Sequence, residues 1–438
     1  MIALRRIAYE LIQAEGRIRR HLGDYDLAEE LLSRVRGYAH EFGVLSAVDF
    51  HLAVIAIAKG RLDEAEAILQ RIEPDFRELL RPRRPALRLA QADLELARDR
   101  SAEALARTDD GIGDLITYPD DDLAWKLQMR RGRSLTALGH PRDGLRAYLA
   151  GAAAADSLRK APLGYRLDST FVRDKLPLFE AAIGLAADQG DGPAAARLVE
   201  LVKARALSAT LSIPAARRPS RSPDEVRFDQ VSQRLDALEF AEYSGRGSAA
   251  TQRERRQLIV ERERLLERLR IVDSRWRTMS EPVPFDLEHM LQLLAVGDRA
   301  ALSLFRQPSG VVGVLLHAGH VRVLRREFDR GVEDRLREYV ENLRSWTPDP
   351  MLFDASAELD LTVESLLPLE LVEEALTAPM LLVVPHGALH VLPWAGLTLG
   401  ARRLFEQVTV GVLPNLSCLG LLDGSPPSQL RAAVLGDP

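Results

Sequence analysis

The chain has 438 residues, 46% hydrophobic and 28% charged, a composition ordinary for globular proteins and a length that suits two or three domains. Its 59 Lys and Arg against 64 Asp and Glu leave a net charge of −5, which gives no electrostatic footprint for nucleic acid. A single cysteine, Cys418, excludes an intrachain disulfide and any multi-cysteine metal site.

The opening stretch, MIALRRIAYELIQAEGRIRR, carries charges throughout and lacks the apolar run of a signal peptide. No stretch approaches the roughly 18 apolar residues of a membrane span. The expected compartment is the cytoplasm, with neither membrane nor nucleic acid as partner.

Residues 1–211 hold almost no strand signal, and apolar residues recur at helical spacing. One phrase returns along this half. GDYDLAEELL places Gly23, Tyr25, Ala28 and Leu32, and GRLDEAEAIL places Gly60, Leu62, Ala65 and Leu69 at the same offsets. DRSAEALART repeats it weakly with Asp99, Ala104 and Thr108, and GHPRDGLRAY repeats it with Gly139, Gly144 and Tyr148. A glycine ends the first helix in a left-handed cap, a small residue five on lets two helices approach, and a larger one nine on fills the groove to the next pair. This resembles the tetratricopeptide repeat, without the early Trp-Leu-Gly half of its consensus. The expectation is an α-solenoid over 1–211 whose concave face binds a protein partner. The chain opens inside a helical pattern with no cap, so earlier repeats are expected upstream. The acidic run Pro119 to Asp122 reads as a solvated loop between repeats, and Ala195–Leu211 as the array's last helix.

Residues 212–281 read as a linker, Pro214–Pro223, and an antiparallel helical hairpin. Phe228, Val231, Leu235 and Leu238 form the apolar seam of one helix, and Leu258, Leu265 and Leu269 that of the other, with a break over Gly245–Thr251. The alternating charges of the second helix read as a solvated face.

From residue 282 the pattern becomes α/β. Asp286 is placed to cap a short helix. AALSLFR, VVGVLLH and HVRVLRREF follow as a strand meander, with helices near 329–344 and 361–377. Strands are expected at Leu381–Val384, Phe405–Val412 and Arg431–Leu435, and Asn415 is placed to cap a short helix. The pieces VPHGALHVLPWAGL, LPNLS and VLGDP, in this order after Lys203-Ala204-Arg205-Ala206-Leu207, resemble the CHAT domain, a caspase-like peptidase domain found attached to tetratricopeptide repeats. The resemblance covers 282–438, and 195–438 with the preceding helices. It implies a caspase-like cysteine endopeptidase, related in plan to separase, whose Cys-His dyad follows the VLGDP-type segment. This chain is therefore expected to be a fragment holding the repeat array and the non-catalytic first part of the domain, and to be inactive alone. No catalytic, cofactor or metal residue is assigned. Cys418 sits in an apolar string with no charge to lower its pKa. His386 and His390, in the loop bounded by Pro385 and Pro393, lack the Glu of a zinc-protease motif. The pairing of His386 as a base with Cys418 is a testable outsider. The alternative reading is a non-catalytic protein-interaction scaffold.

Overall fold

The computed structural model describes residues 2–39, 45–158, 175–203, 285–345 and 361–419, and single helical residues between 223 and 269. One compact unit comprises residues 1–159 and 174–185, and a second comprises 160–173 and 186–438.

Among the described residues, the first unit contains four helix pairs. These are α1 (Ile2–His21) with α2 (Tyr25–Ala39), α3 (Leu45–Ala58) with α4 (Leu62–Glu78), α5 (Arg84–Ala97) with α6 (Ser101–Thr117), and α7 (Asp121–Ala137) with α8 (Pro141–Ser157). Each pair turns on a residue with left-handed backbone: Gly23 (φ 80°), Gly60 (φ 74°), Asp99 (φ 58°) and Gly139 (φ 81°). These are the four positions that open the sequence phrase, so the weak copy at Asp99 makes the same turn as the strong ones. Asp is among the few non-glycine residues that accept this conformation.

Five residues past each turn, Ala28, Ala65, Ala104 and Gly144 are buried. The smallness is needed, because a Cβ on Gly144 would lie 2.5 Å from Thr136 Oγ1. Nine residues past the turn, Leu32, Leu69, Thr108 and Tyr148 are buried. A third small position lies seven residues before each turn: Gly16, Ala53, Ala92 and Gly132. A Cβ on Gly16 would lie 2.9 Å from Leu32 Cγ, and one on Gly132 only 2.7 Å from two ring atoms of Tyr148. The largest filler, Tyr148, thus faces a glycine, while Leu69 and Thr108 occupy the position whose counterparts are alanines. Asp49 sits buried on α3 and binds Arg36 Nε of α2 at 2.6 Å and Arg71 Nη2 of α4 at 2.8 Å, tying three helices together. The acidic run is not a bare loop. Asp120 caps α7 by accepting from the Leu123 amide, and Asp121 and Asp122 lie in the first helical turn. A further helix, α9 (Leu176–Asp188), follows.

The second unit begins with α10 (Gly192–Val202) and α11 (Leu287–Val296), the latter capped by Asp286 as its sequence position predicts. Three strands form an antiparallel meander: β1 (Arg299–Gln307), β2 (Gly310–His317) and β3 (His320–Glu327). Ala318 (φ 48°) and Gly319 (φ 79°) form the two-residue turn between β2 and β3, whose positive φ values suit strand twist. After α12 (Arg330–Ser345), α13 (Val363–Leu366) and α14 (Leu369–Ala375), strand β4 (Met380–Val384) pairs parallel to β1. A small ladder of β5 (Thr398–Leu399) and β6 (Arg402–Arg403) precedes β7 (Thr409–Val412), which pairs parallel to β4. The five-stranded order is β3-β2-β1-β4-β7.

Two expected elements differ. The helix near 361–377 splits at Pro368, which holds Leu367 in extended backbone. The strand over 405–412 is confined to its second half, because Leu404–Glu406 forms a 3-10 turn. The core of this unit gathers β1, β2 and β4 with Val332, Leu336, Leu371 and the fully buried Trp394. Trp394 Nε1–H donates to Leu389 O at 3.1 Å, which fixes the Pro-Trp turn on the preceding loop.

The sequence groups α10 with the helical array, yet α10 packs against β1, β2, β3 and α11. Gly192 makes this possible, since a Cβ there would lie 2.4 Å from Val321 O of β3. The residues described between 223 and 269 are helical, and Asp224–Arg268, Arg227–Glu261 and Arg234–Glu254 pair in antiparallel order, as in a hairpin. Val231, Leu235 and Leu265 form its apolar seam. The expected linker over 214–223, the break over 245–251, residues 204–207 and the final strand with VLGDP lie outside the described residues. Among the described residues no helix is long and apolar enough to cross a membrane.

Candidate functional site

Among the described residues, two places combine polar groups with a setting that could serve function. The first lies in the second unit, where α10 meets the parallel strands β1 and β4. Glu200 and Lys203 stand one turn apart on a helix otherwise buried through Leu198, Val199 and Val202. Lys203 Nζ donates to Ser303 Oγ at 2.8 Å and to Val384 O at 2.6 Å. Ser303, in the middle of β1, and Val384, at the end of β4, are register partners, so one ammonium group clasps both strands. Glu200 accepts from the amide of Leu416 at 3.0 Å and from that of Ser417 at 3.4 Å. Burial pulls Lys203 down to about 7 against the opposing charge of Glu200. Burial likewise pushes Glu200 up, opposed by Lys203 and the two amides. Such a desolvated pair persists only where its hydrogen bonds are met.

His386 lies beside this centre. Its Nδ1 accepts from the Arg306 amide at 3.2 Å, and its ring stacks on Phe305 at 4.5 Å. Burial, then the charges of Lys203 and His390, pull His386 down to about 4, so the ring is neutral. His390 is exposed on the 3-10 turn Gly387–Val391. Cys418 is 2% exposed on the turn Leu416–Cys418, and its amide donates to Asn415 Oδ1 at 3.0 Å, the cap expected from sequence. A catalytic pair would need Cys418 open to substrate and His386 free to accept its proton. The thiol is buried and the Nδ1 of His386 is engaged. Among the described residues, no group of three or more His, Cys, Asp or Glu is placed to hold a metal ion.

Sequence reading noted Lys203 only within a phrase and passed over Glu200 and Ser303. A signal existed. Glu200 and Lys203 interrupt an apolar helix at a spacing that puts them on one face, and Ser303 is the one polar residue between Ala300 and Phe305.

The second place is a groove of about 710 Å³ in the helical unit, lined by the first helix of each pair and by Tyr25 of α2. Val54, Ile57 and Leu89 of α3 and α5 and Leu123 of α7 supply its apolar floor. Arg20 of α1 and Lys126, Arg130 and Arg133 of α7 line it with positive charge. Asp93 and Asp122 are inside it but engaged: Arg130 Nε binds Asp93 at 2.8 Å and Lys126 Nζ binds Asp122 at 2.5 Å. Burial pushes the Asp122 carboxyl up, but the hydrogen bond and charge of Lys126 hold it below the usual range.

No known family model matches the chain, and no curated protein matches it.

Proposed function

We propose that the chain is part of a tetratricopeptide-CHAT protein, in which the helical array captures a protein partner and the sheet-bearing unit is the first part of a caspase-like cysteine endopeptidase. The support is convergent. The four-fold turn, small-residue and filler pattern belongs to stacked helix pairs, which create an extended binding face. The groove supplies such a face with an apolar floor. The observation that carries the second half is the seating of α10. The helix that leads into the Lys203-Ala204-Arg205-Ala206-Leu207 phrase is clasped to the middle of β1 and the end of β4, as expected if that phrase is integral to the domain.

The dyad of such an endopeptidase is assigned to no residue of this chain. The 438-residue chain should accordingly show no cleavage of a peptide library. Cleavage that vanishes in Cys418→Ala would overturn that assignment. The direct test is to extend the reading frame with the genomic sequence beyond the codon for Pro438. An extension that supplies a His-Gly strand end and a Cys strand end, and with them thiol-sensitive cleavage, supports the peptidase reading. An extension lacking either residue transfers the assignment to a non-catalytic scaffold. Partner capture is tested with the full chain, where Leu89→Glu in the groove should abolish binding.

A further inference from the structure

The groove carries more positive charge than the protein around it. Its charged lining comprises four cations and two carboxylates, 4 − 2 = +2, in a chain of net charge −5. The two carboxylates are already matched by Lys126 and Arg130. The excess therefore resides in Arg20 and Arg133, neither of which meets a carboxylate among the described residues. Arg20 is the more telling. It is partly buried, its Nη2 lies 3.0 Å from His21 Nε2, and its Nε is shielded from solvent with no hydrogen-bond partner. Burial pulls the Arg20 guanidinium down, and the neighbouring Arg17 adds to this. Burial and then the charges of Arg20 and Lys126 pull His21 down in turn. A desolvated cation among like charges is costly unless an anion completes it.

We propose that this groove binds an acidic peptide segment of a partner protein, with carboxylates on Arg20 and Arg133 and at least one bulky apolar side chain on the floor formed by Val54, Ile57, Leu89 and Leu123. The inference rests on the reading of the array as a partner-binding surface and gives that partner its chemistry. Ala58, Ala90 and Ala97 line the same groove, and their small side chains leave room for the incoming group. A nucleic acid strand fits less well. It would bring phosphates past Asp93 and Asp122, which interrupt the basic stripe that strand binding calls for.

The test uses the full chain and fluorescence anisotropy with labelled short peptides that share a helical spacing of Leu and differ elsewhere, carrying Glu, Gln or Lys. The Glu peptide should bind about tenfold or more tightly than the Gln peptide, an advantage that shrinks as salt rises. Arg20→Glu and Arg133→Glu should each weaken the Glu peptide about tenfold more than the Gln peptide, while Arg142→Glu, exposed on α8 and outside the groove, changes neither. An unchanged helical circular dichroism spectrum and melting profile certify that the variants are folded. Equal binding of Glu and Gln peptides, with both lost in Leu89→Glu, overturns the acidic preference and leaves the groove reading standing. Binding of no peptide, or binding insensitive to Leu89→Glu, overturns both. Displacement of the Glu peptide by single-stranded RNA at lower concentration than by unlabelled Glu peptide would assign the cations to nucleic acid instead.

Discussion

A methyl group added at Gly132 should weaken the helical unit, while the same methyl at Gly113 should strengthen it. Both glycines lie inside helices, where Gly→Ala ordinarily gains about 0.5–1 kcal/mol. Gly113, on α6, has nothing within 4 Å of the added carbon, so it keeps the gain. At Gly132 the carbon lands 2.7 Å from two ring atoms of Tyr148 and 2.9 Å from a third. Ordinary carbon contacts lie near ~3.5–4.0 Å, so the overlap approaches about 1 Å. The ring is rigid and only 6% exposed, and it has nowhere to retreat. Overpacking of this kind costs about 1–3 kcal/mol, which outweighs the helix gain and leaves a net loss of about 1–2 kcal/mol. The chain itself suggests the remedy. The second pair holds Ala53 and Leu69 at the equivalent positions, so Gly132→Ala with Tyr148→Leu should restore about 1 kcal/mol relative to the sum of the single changes. Hydrogen exchange read on peptides from 121–157 measures local opening without requiring the whole chain to unfold as one. Protection that rises in Gly132→Ala as it does in Gly113→Ala, or strict additivity in the double variant, would refute the volume-matching argument.

Three further outcomes follow from the second unit. Cys418 should resist alkylation in the folded chain and react promptly in denaturant, since burial withholds the thiolate; fast labelling without denaturant refutes its placement. Glu200→Ala should strip the amides of Leu416 and Ser417 of their acceptor, at a cost of about 1–3 kcal/mol, and speed exchange in 413–418; unchanged exchange there would show that the carboxylate does not hold the turn. His386 has a folded pKa of about 4 against an ordinary 6.5, so between these values only the unfolded chain binds the proton. Its share of stability is complete above pH 6.5 and is lost as pH falls toward 4. A gap of that width makes the share on the order of 3 kcal/mol. The urea midpoint should therefore fall less steeply over that range in His386→Gln, and equal slopes would refute the assignment.

The helical unit was legible wherever a local rule fixed the backbone. Gly23, Gly60 and Gly139, and even Asp99, announce their turns by type and offset, and Asp286 announces a cap. The complementary small position at Gly16, Ala53, Ala92 and Gly132 is not legible, because its meaning lies in the neighbour sixteen residues on, and those neighbours differ in kind. The split at Pro368 could have been read from the proline, whereas the shortening of the last described strand could not, since Phe405 and Val408 suit either a strand or a turn. The centre around Lys203 was least legible. Periodicity shows that α10 has an apolar face but not which element covers it. Ser303 and the carbonyl of Val384 acquire a role only once β1 and β4 lie side by side.

That centre also sets a timetable for biosynthesis. Lys203 waits for partners 100 and 181 residues downstream, and Glu200 for amides 216 residues downstream. At roughly 5–20 residues per second, the last of these leaves the ribosome on the order of 10–40 seconds after α10. The local helix pairs of the first unit can close meanwhile, since their contacts are short in sequence. The α10 helix, with an apolar surface and two charges that β1, β4 and the Leu416–Cys418 turn satisfy, lacks those partners throughout that interval.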